Sequence, residues 1–167
     1  MKSLCGFSVL AVLGFSSLLG EAADHVVFTR LAPAEMTLYV ANADGSGEHA
    51  ITQAGSLNYN PAWSPKGDWI AFTSEREGSA DLYRMHPDGS GVERLTDSRW
   101  FDDQPAYSPD EKQIVFVSTR AAGFANLWIL NLTTRAAKPL TSGRGGDFRK
   151  SRHANTPCRN QHAPSSR

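Results

Sequence analysis

An all-β fold of stacked four-stranded antiparallel units is what this 167-residue sequence predicts, on three observations. A motif returns at a fixed spacing: Asn60-Pro61-Ala62-Trp63-Ser64-Pro65 reappears 44 residues later as Gln104-Pro105-Ala106-Tyr107-Ser108-Pro109. Between the copies, short apolar and β-branched runs alternate with turn signals such as Pro87-Asp88-Gly89-Ser90-Gly91, the pattern of strands joined by tight hairpins. After residue 23 no apolar period of helical spacing appears.

The first 23 residues stand apart. Met1-Lys2 forms a small basic start, Leu4 to Leu19 is apolar or small throughout, and Gly20-Glu21-Ala22-Ala23 offers the small residues that suit signal peptidase. This pattern predicts a signal peptide over 1–23, cut after Ala22 or Ala23. A membrane anchor is the competing reading, but a spanning helix needs about 20 apolar residues and this run has 16. No membrane span is expected after cleavage. The two cysteines are Cys5, inside that segment, and Cys158. The mature chain therefore carries one thiol, no internal disulfide and no Cys-based zinc site.

The next unit, 24–52, is partial and lacks an initial strand. It opens on Val26-Val27-Phe28-Thr29-Arg30, continues with Thr37-Leu38-Tyr39-Val40, turns at Asp44-Gly45-Ser46-Gly47 and closes on Ile51-Thr52. The second unit, 59–96, is complete. Its strands are predicted at the Asn60-Pro61 motif, over Trp69 to Ser74, over Leu82 to Met85 and over Val92 to Thr96. The third, 103–141, repeats it with Ile114-Val115-Phe116-Val117-Ser118, Asn126-Leu127-Trp128-Ile129 and Leu140-Thr141. Phe28, Phe72 and Phe116 are evenly spaced, and the later interval grows to 45 because the hairpin Ala121-Ala122-Gly123-Phe124-Ala125 carries one extra residue.

A four-stranded unit of about 44 residues has the size of a β-propeller blade, and one blade cannot cover its own faces. Pro-Ala-Trp-Ser-Pro-Lys-Gly at 61–67, Ile-Ala-Phe-Thr-Ser-Glu-Arg at 70–76, Asp-Leu-Tyr at 81–83 and Arg-Leu-Thr at 94–96 resemble the blade of TolB-type, WD-repeat-like propellers. The third unit departs from that pattern at Asp110-Glu111-Lys112, where a Gly usually follows the Asp, and at Thr133-Thr134 in place of Asp-Gly. Both departures fall in turns, so the strands are expected to survive. The predicted architecture is an incomplete β-propeller of about two and three-quarter blades over 24–147, behind the signal peptide.

The formal charge of zero conceals a division. From Asp24 to Asp147 there are 16 acidic and 11 basic residues, while 148–167 carries five basic residues and no acidic one. The body is mildly acidic and gives no nucleic-acid footprint. The tail 148–167 has one large apolar residue, Phe148, and leaves the blade motif where a fourth blade should begin near Lys150. It is expected to be disordered or aberrant, as in a frameshifted or truncated copy of a longer propeller, and to add nothing to the fold.

Chemistry-bearing constellations are sparse. The loops Asn42 to Gly47 and His86 to Gly91 alternate oxygen donors ahead of a Gly, but a calcium loop needs flanking helices and a bidentate Glu at its twelfth position, where Gln53 and Asp97 stand. They read as hairpin turns. His25, His49 and His86 lie in different units without paired spacing and are expected in exposed turns. Ser64 and Ser108 recur with the blade beside Pro, which favours a turn role over a nucleophile. Trp63, Tyr107, Phe72, Phe116, Tyr83 and Trp128 recur likewise and are expected in the core between blades. Asp102-Asp103 is expected in a rim loop ahead of a first strand, and Asn131-Leu132-Thr133 is a glycosylation sequon. No catalytic, cofactor-binding or metal residue is assigned.

The resemblance implies an exported, non-enzymatic module, periplasmic or secreted, that works as a protein-binding scaffold. TolB-type proteins contact envelope partners such as a peptidoglycan-associated lipoprotein. The alternative is the non-catalytic propeller of a larger hydrolase of the prolyl-oligopeptidase kind, recognisable by a Gly-x-Ser-x-Gly segment after further blades. Open blade edges also predict self-association.

Overall fold

The computed structural model describes residues 10–11, 24–121 and 123–143. The expected signal cleavage, Cys5, Cys158 and the tail 148–167 lie outside the described residues. Among the described residues twelve strands form three sheets, each a four-stranded antiparallel meander. The first contains β1 (Leu10–Ala11), β2 (His25–Ala32), β3 (Glu35–Asn42) and β4 (His49–Ala50). The second contains β5 (Asn58–Trp63), β6 (Ile70–Ser74), β7 (Asp81–Met85) and β8 (Glu93–Arg94). The third contains β9 (Asp102–Tyr107), β10 (Gln113–Ala121), β11 (Phe124–Asn131) and β12 (Ala137–Pro139).

Among the described residues there is no helix, and so none long and apolar enough to cross a membrane. The first blade differs from expectation in one respect: the place of its missing strand is taken by Leu10–Ala11, paired with Thr29 and Phe28. The bare edge of β2 presents unpaired N–H and C=O groups, which an extended apolar segment satisfies. The fourth strand of the second blade is shorter than the predicted Val92 to Thr96, being confined to Glu93–Arg94.

Strand alternation sends successive side chains to opposite faces of each blade, and the core lies between blades. Val27, Leu38, Val40 and Ile51 of the first blade meet Ile70, Phe72, Tyr83 and Met85 of the second, with Trp63 against them. Ala71, Leu82 and Leu95 on the other face of the second blade meet Ile114, Phe116 and Leu130 of the third, flanked by Tyr107 and Trp128. The recurrent aromatics are thus interblade core, as their period predicts.

The turns show how the repeat tolerates its departures. Gly67 adopts φ +81, and Glu111, at the equivalent position, adopts φ +58. The Glu carboxylate offsets this strain by accepting from Lys66 N (2.8 Å) and pairing with Lys66 Nζ (3.1 Å) in the preceding blade. In place of Asp-Gly, Asn131 Oδ1 accepts from Thr133 N and Thr134 N (2.9 and 2.8 Å), and Arg135 takes φ +60. β10 and β11 remain paired from Gln113↔Asn131 to Ser118↔Asn126. Gly89 is less negotiable: a Cβ there would lie 2.7 Å from the Ile51 carbonyl oxygen of the first blade.

The hairpin Ala32-Pro33-Ala34-Glu35 carries Ala34 at φ +78 after a Pro, a type II turn whose third position prefers Gly. Ala34→Gly is expected to stabilise the chain by about 0.5 kcal/mol, relief of the positive φ outweighing the added freedom of the unfolded chain. An increase in melting temperature of the variant checks it.

Candidate functional site

Polar side chains at repeat positions hold the blades, each in a defined way. The Thr that closes every unit accepts a backbone N–H from the third strand of its own blade: Leu38 N to Thr52 Oγ1 (2.9 Å), Leu82 N to Thr96 Oγ1 (3.0 Å) and Leu127 N to Thr141 Oγ1 (3.1 Å). Ser64 and Ser108 are turn residues, their hydroxyls accepting from Trp69 N (3.1 Å) and Gln113 N (3.0 Å). An arginine lies over each aromatic pair: Arg30 over Phe28 and Tyr39, Arg76 over Phe72 and Tyr83, Arg120 over Phe116 and Trp128.

Among the described residues three carboxylates are buried. Asp81 is fully buried and accepts from Ser79 Oγ (2.8 Å), Arg94 Nη2 (2.7 Å), Thr96 Oγ1 (3.2 Å) and Ser98 N (3.2 Å). Asp102, also fully buried, accepts from Ser118 Oγ (2.6 Å), Ser98 Oγ (3.2 Å) and the Arg120 guanidinium. Asp103 accepts from Thr73 Oγ1 (2.8 Å), Asn60 Nδ2 (2.8 Å) and Gln104 N (2.6 Å), and so ties the second blade to the third. These findings correct the expectation of a rim loop, because Asp102 and Asp103 begin β9 itself. Buried carboxylates persist where donors meet them, and here the donors come from several strands and from the loops between them.

Burial pushes the Asp102 carboxyl above the ordinary range, against the opposing pull of Ser118 and Arg120. Its stabilising contribution is therefore full below about pH 4, the unfolded value, and is lost as pH rises through the native value. The second blade shows what a neutral side chain does at this position: Asn58 Oδ1 accepts from Ser74 Oγ (2.8 Å) and Arg76 Nη2 (3.1 Å). Asp102→Asn is expected to stay within about 1 kcal/mol of the parent at neutral pH and to gain relative to it as pH rises from about 4, the unfolded value. Urea midpoints across pH measure both.

The histidines do not converge. His25 opens β2 and His49 opens β4, both at strand starts instead of the expected turns. His86 is half-buried, its ring 4.0 Å from Trp69 and its Nδ1 3.0 Å from the Asp68 carbonyl. Hydrogen bonds to Ser46 and Ser90 hold the carboxyls of Asp44 and Asp88 below the usual range, so these loops are closed by their own hydrogen bonds. Among the described residues no group of three or more His, Cys, Asp or Glu is placed to hold a metal ion.

Of the large apolar side chains exposed among the described residues, Val92 follows the turn at Pro87 to Gly91 and the other four lie toward the opposite end. Leu31 and Phe124 flank the hairpins joining the second and third strands of the first and third blades, and both are exposed. Phe101, also exposed, exchanges hydrogen bonds with Thr119 near the Phe124 hairpin, through its N (3.1 Å, to Oγ1) and its carbonyl (3.1 Å). Leu140, just past β12, lies toward the same end. Departure from the repeat marks two of these residues in the sequence: Phe124 belongs to the lengthened hairpin and Phe101 precedes the repeated motif, whereas Leu140 holds the repeat position of Ile51 and Leu95.

A family described as the TolB beta propeller domain matches residues 21–148. Among solved structures, a putative TolB from Agrobacterium tumefaciens shares 29% identity at a TM-score of 0.65, over 71% of this chain and 45% of that one. TolB from Acinetobacter baumannii shares 23% identity at a TM-score of 0.61, over 71% of this chain and 30% of that one. A puromycin hydrolase shares the fold at 16% identity and a TM-score of 0.59, over 72% of this chain and 21% of that one. The chain therefore spans less than half the length of each of these structures. No curated protein sequence matches it.

Proposed function

Because this chain belongs to the TolB β-propeller domain family, we propose that it acts as an exported, non-catalytic scaffold that binds a protein of the cell envelope. The observation that supports this reading is the division of labour among its side chains. The buried carboxylates and the repeated hydroxyls are committed to the blades, whereas exposed Leu31, Phe101 and Phe124 gather at one end of the strands. Exposed aromatic and aliphatic side chains on a rigid frame are the usual anchors of a protein interface.

The test titrates the purified chain with the soluble domain of a peptidoglycan-associated lipoprotein, the partner that the resemblance implies. Binding is expected, and Phe101→Ser with Phe124→Ser should weaken it at least tenfold, about 1.4 kcal/mol. No binding, or binding indifferent to the two changes, would sink this assignment.

The hydrolase-propeller reading has its support in the fold shared with the puromycin hydrolase. It predicts that the reading frames beyond the present coding sequence encode further blades and then a Gly-x-Ser-x-Gly segment. Further blades alone, or none, would count against it.

A further inference from the structure

We propose that the protein pairs head to tail with a second copy of itself, the open face of the third blade receiving the open face of the first. Each blade has a leading face, turned to the blade before it, and a trailing face, turned to the blade after it. Twice within the chain a trailing face carries a leading face: Val27, Leu38 and Val40 carry Ile70 and Phe72, and Ala71, Leu82 and Leu95 carry Ile114 and Phe116. The mode of contact that joins two copies is thus already present in one.

Both remaining faces have the required chemistry. On the leading face of the first blade, Phe28 and Tyr39 stack at 5.7 Å and 18°, under Arg30. Their counterparts Phe72 and Tyr83 stack at 5.9 Å and 28°, under Arg76. The difference is cover: Phe72 and Tyr83 are 0% and 4% exposed beneath the first blade, whereas Phe28 and Tyr39 are only half-buried. On the trailing face of the third blade, the cross-strand pair Val115 and Ile129 is half-buried, and Ile129 lines a shallow cleft with Gln113, Asn131 and Lys138.

Charge fits the same arrangement. Inside the chain, Glu93 at the outer edge of the second blade pairs with Arg135 of the third. At the repeat position of Glu93 the third blade has Lys138, and the first blade offers Glu48, held by Arg30 on its leading face. The outer ion pair would be kept with its charges exchanged. The same packing repeated around an axis closes or extends. Closed propellers have about four to eight blades, so two copies of the three sheets formed by the described residues fit a closed ring and three copies do not.

The mass of the purified chain in solution, by light scattering, is expected to be twice the mass of one chain. Ile129→Glu on the trailing face and Tyr39→Glu on the leading face should each raise the dissociation constant at least tenfold while keeping the β circular dichroism spectrum. Mixing these two variants should restore association, because one intact trailing face then meets one intact leading face. If the charged core changes impair folding, Lys138→Glu serves instead: it should weaken pairing, and Glu48→Lys in the same chain should recover it. A monomeric parent would overturn the proposal. So would two single variants that stay apart on mixing, which is the behaviour of a contact between like faces, or species that grow without limit as concentration rises.

Discussion

Replacing Asp81 by Ala is expected to lower the unfolding free energy by about 3–5 kcal/mol, the range for stripping one partner from a buried, hydrogen-bonded charge pair. Asp81 has no solvent exposure and receives Ser79, Arg94, Thr96 and the Ser98 amide. Its loss leaves Ser79, Thr96 and the Ser98 amide facing an apolar methyl, while Arg94 keeps its ion pair with Asp97 (3.0 Å). The third blade provides a control. There Asn126 stands in the same place and accepts from Thr141 Oγ1 (3.3 Å), so Asp81→Asn should cost about 1 kcal/mol, the worth of a typical hydrogen bond. Urea midpoints at unchanged slope separate the two variants, and equal losses for Ala and Asn would show that burial, not hydrogen bonding, governs the position.

Phe72→Ala is expected to cost about 3–5 kcal/mol, and Phe28→Ala less than half as much, although the two residues hold the same place in the repeat. Phe72 is fully enclosed between the first and second blades. Phe28, stacked on Tyr39 beneath Arg30, is half-buried. The comparison measures what a neighbouring blade contributes, because side-chain chemistry and strand position are held constant. Thermal or urea unfolding of both variants gives the difference directly, and similar losses would mean that a blade is stable without its neighbour.

The sequence reveals most of this fold because a repeat is its own control. The spacing of Phe28, Phe72 and Phe116 locates the second strands, the Asp-Gly dipeptides locate hairpins, and the closing Thr locates a hydrogen bond that recurs in all three blades. The buried carboxylates were illegible for a physical reason. Asp102 and Asp103 are adjacent and charged, which alone predicts solvation, and their partners Ser118, Arg120, Asn60 and Thr73 come from strands 16 to 43 residues away. Composition cannot show such convergence. One signal was available: Asn58 lies 44 residues before Asp102, and the Ser and Arg that serve it recur with it. The exposed apolar end was obscured for the opposite reason, since Phe101 and Phe124 do not recur and aromatic type alone points to a core.

The ties between the second and third blades differ in the side chains that make them. Asn60 on β5 meets Asp103 on β9 through two short side chains, whereas Glu93 on β8 meets Arg135 through two long ones. Two slabs held close along one edge and apart along the other form a wedge, and the angle of that wedge decides how many slabs complete a circle. Ring size is then written in side-chain lengths, not in the number of units a gene encodes. Lengthening the inner tie or shortening the outer one would flatten the wedge and favour wider rings, so these two pairs are where the curvature of a propeller can be retuned without touching its strands.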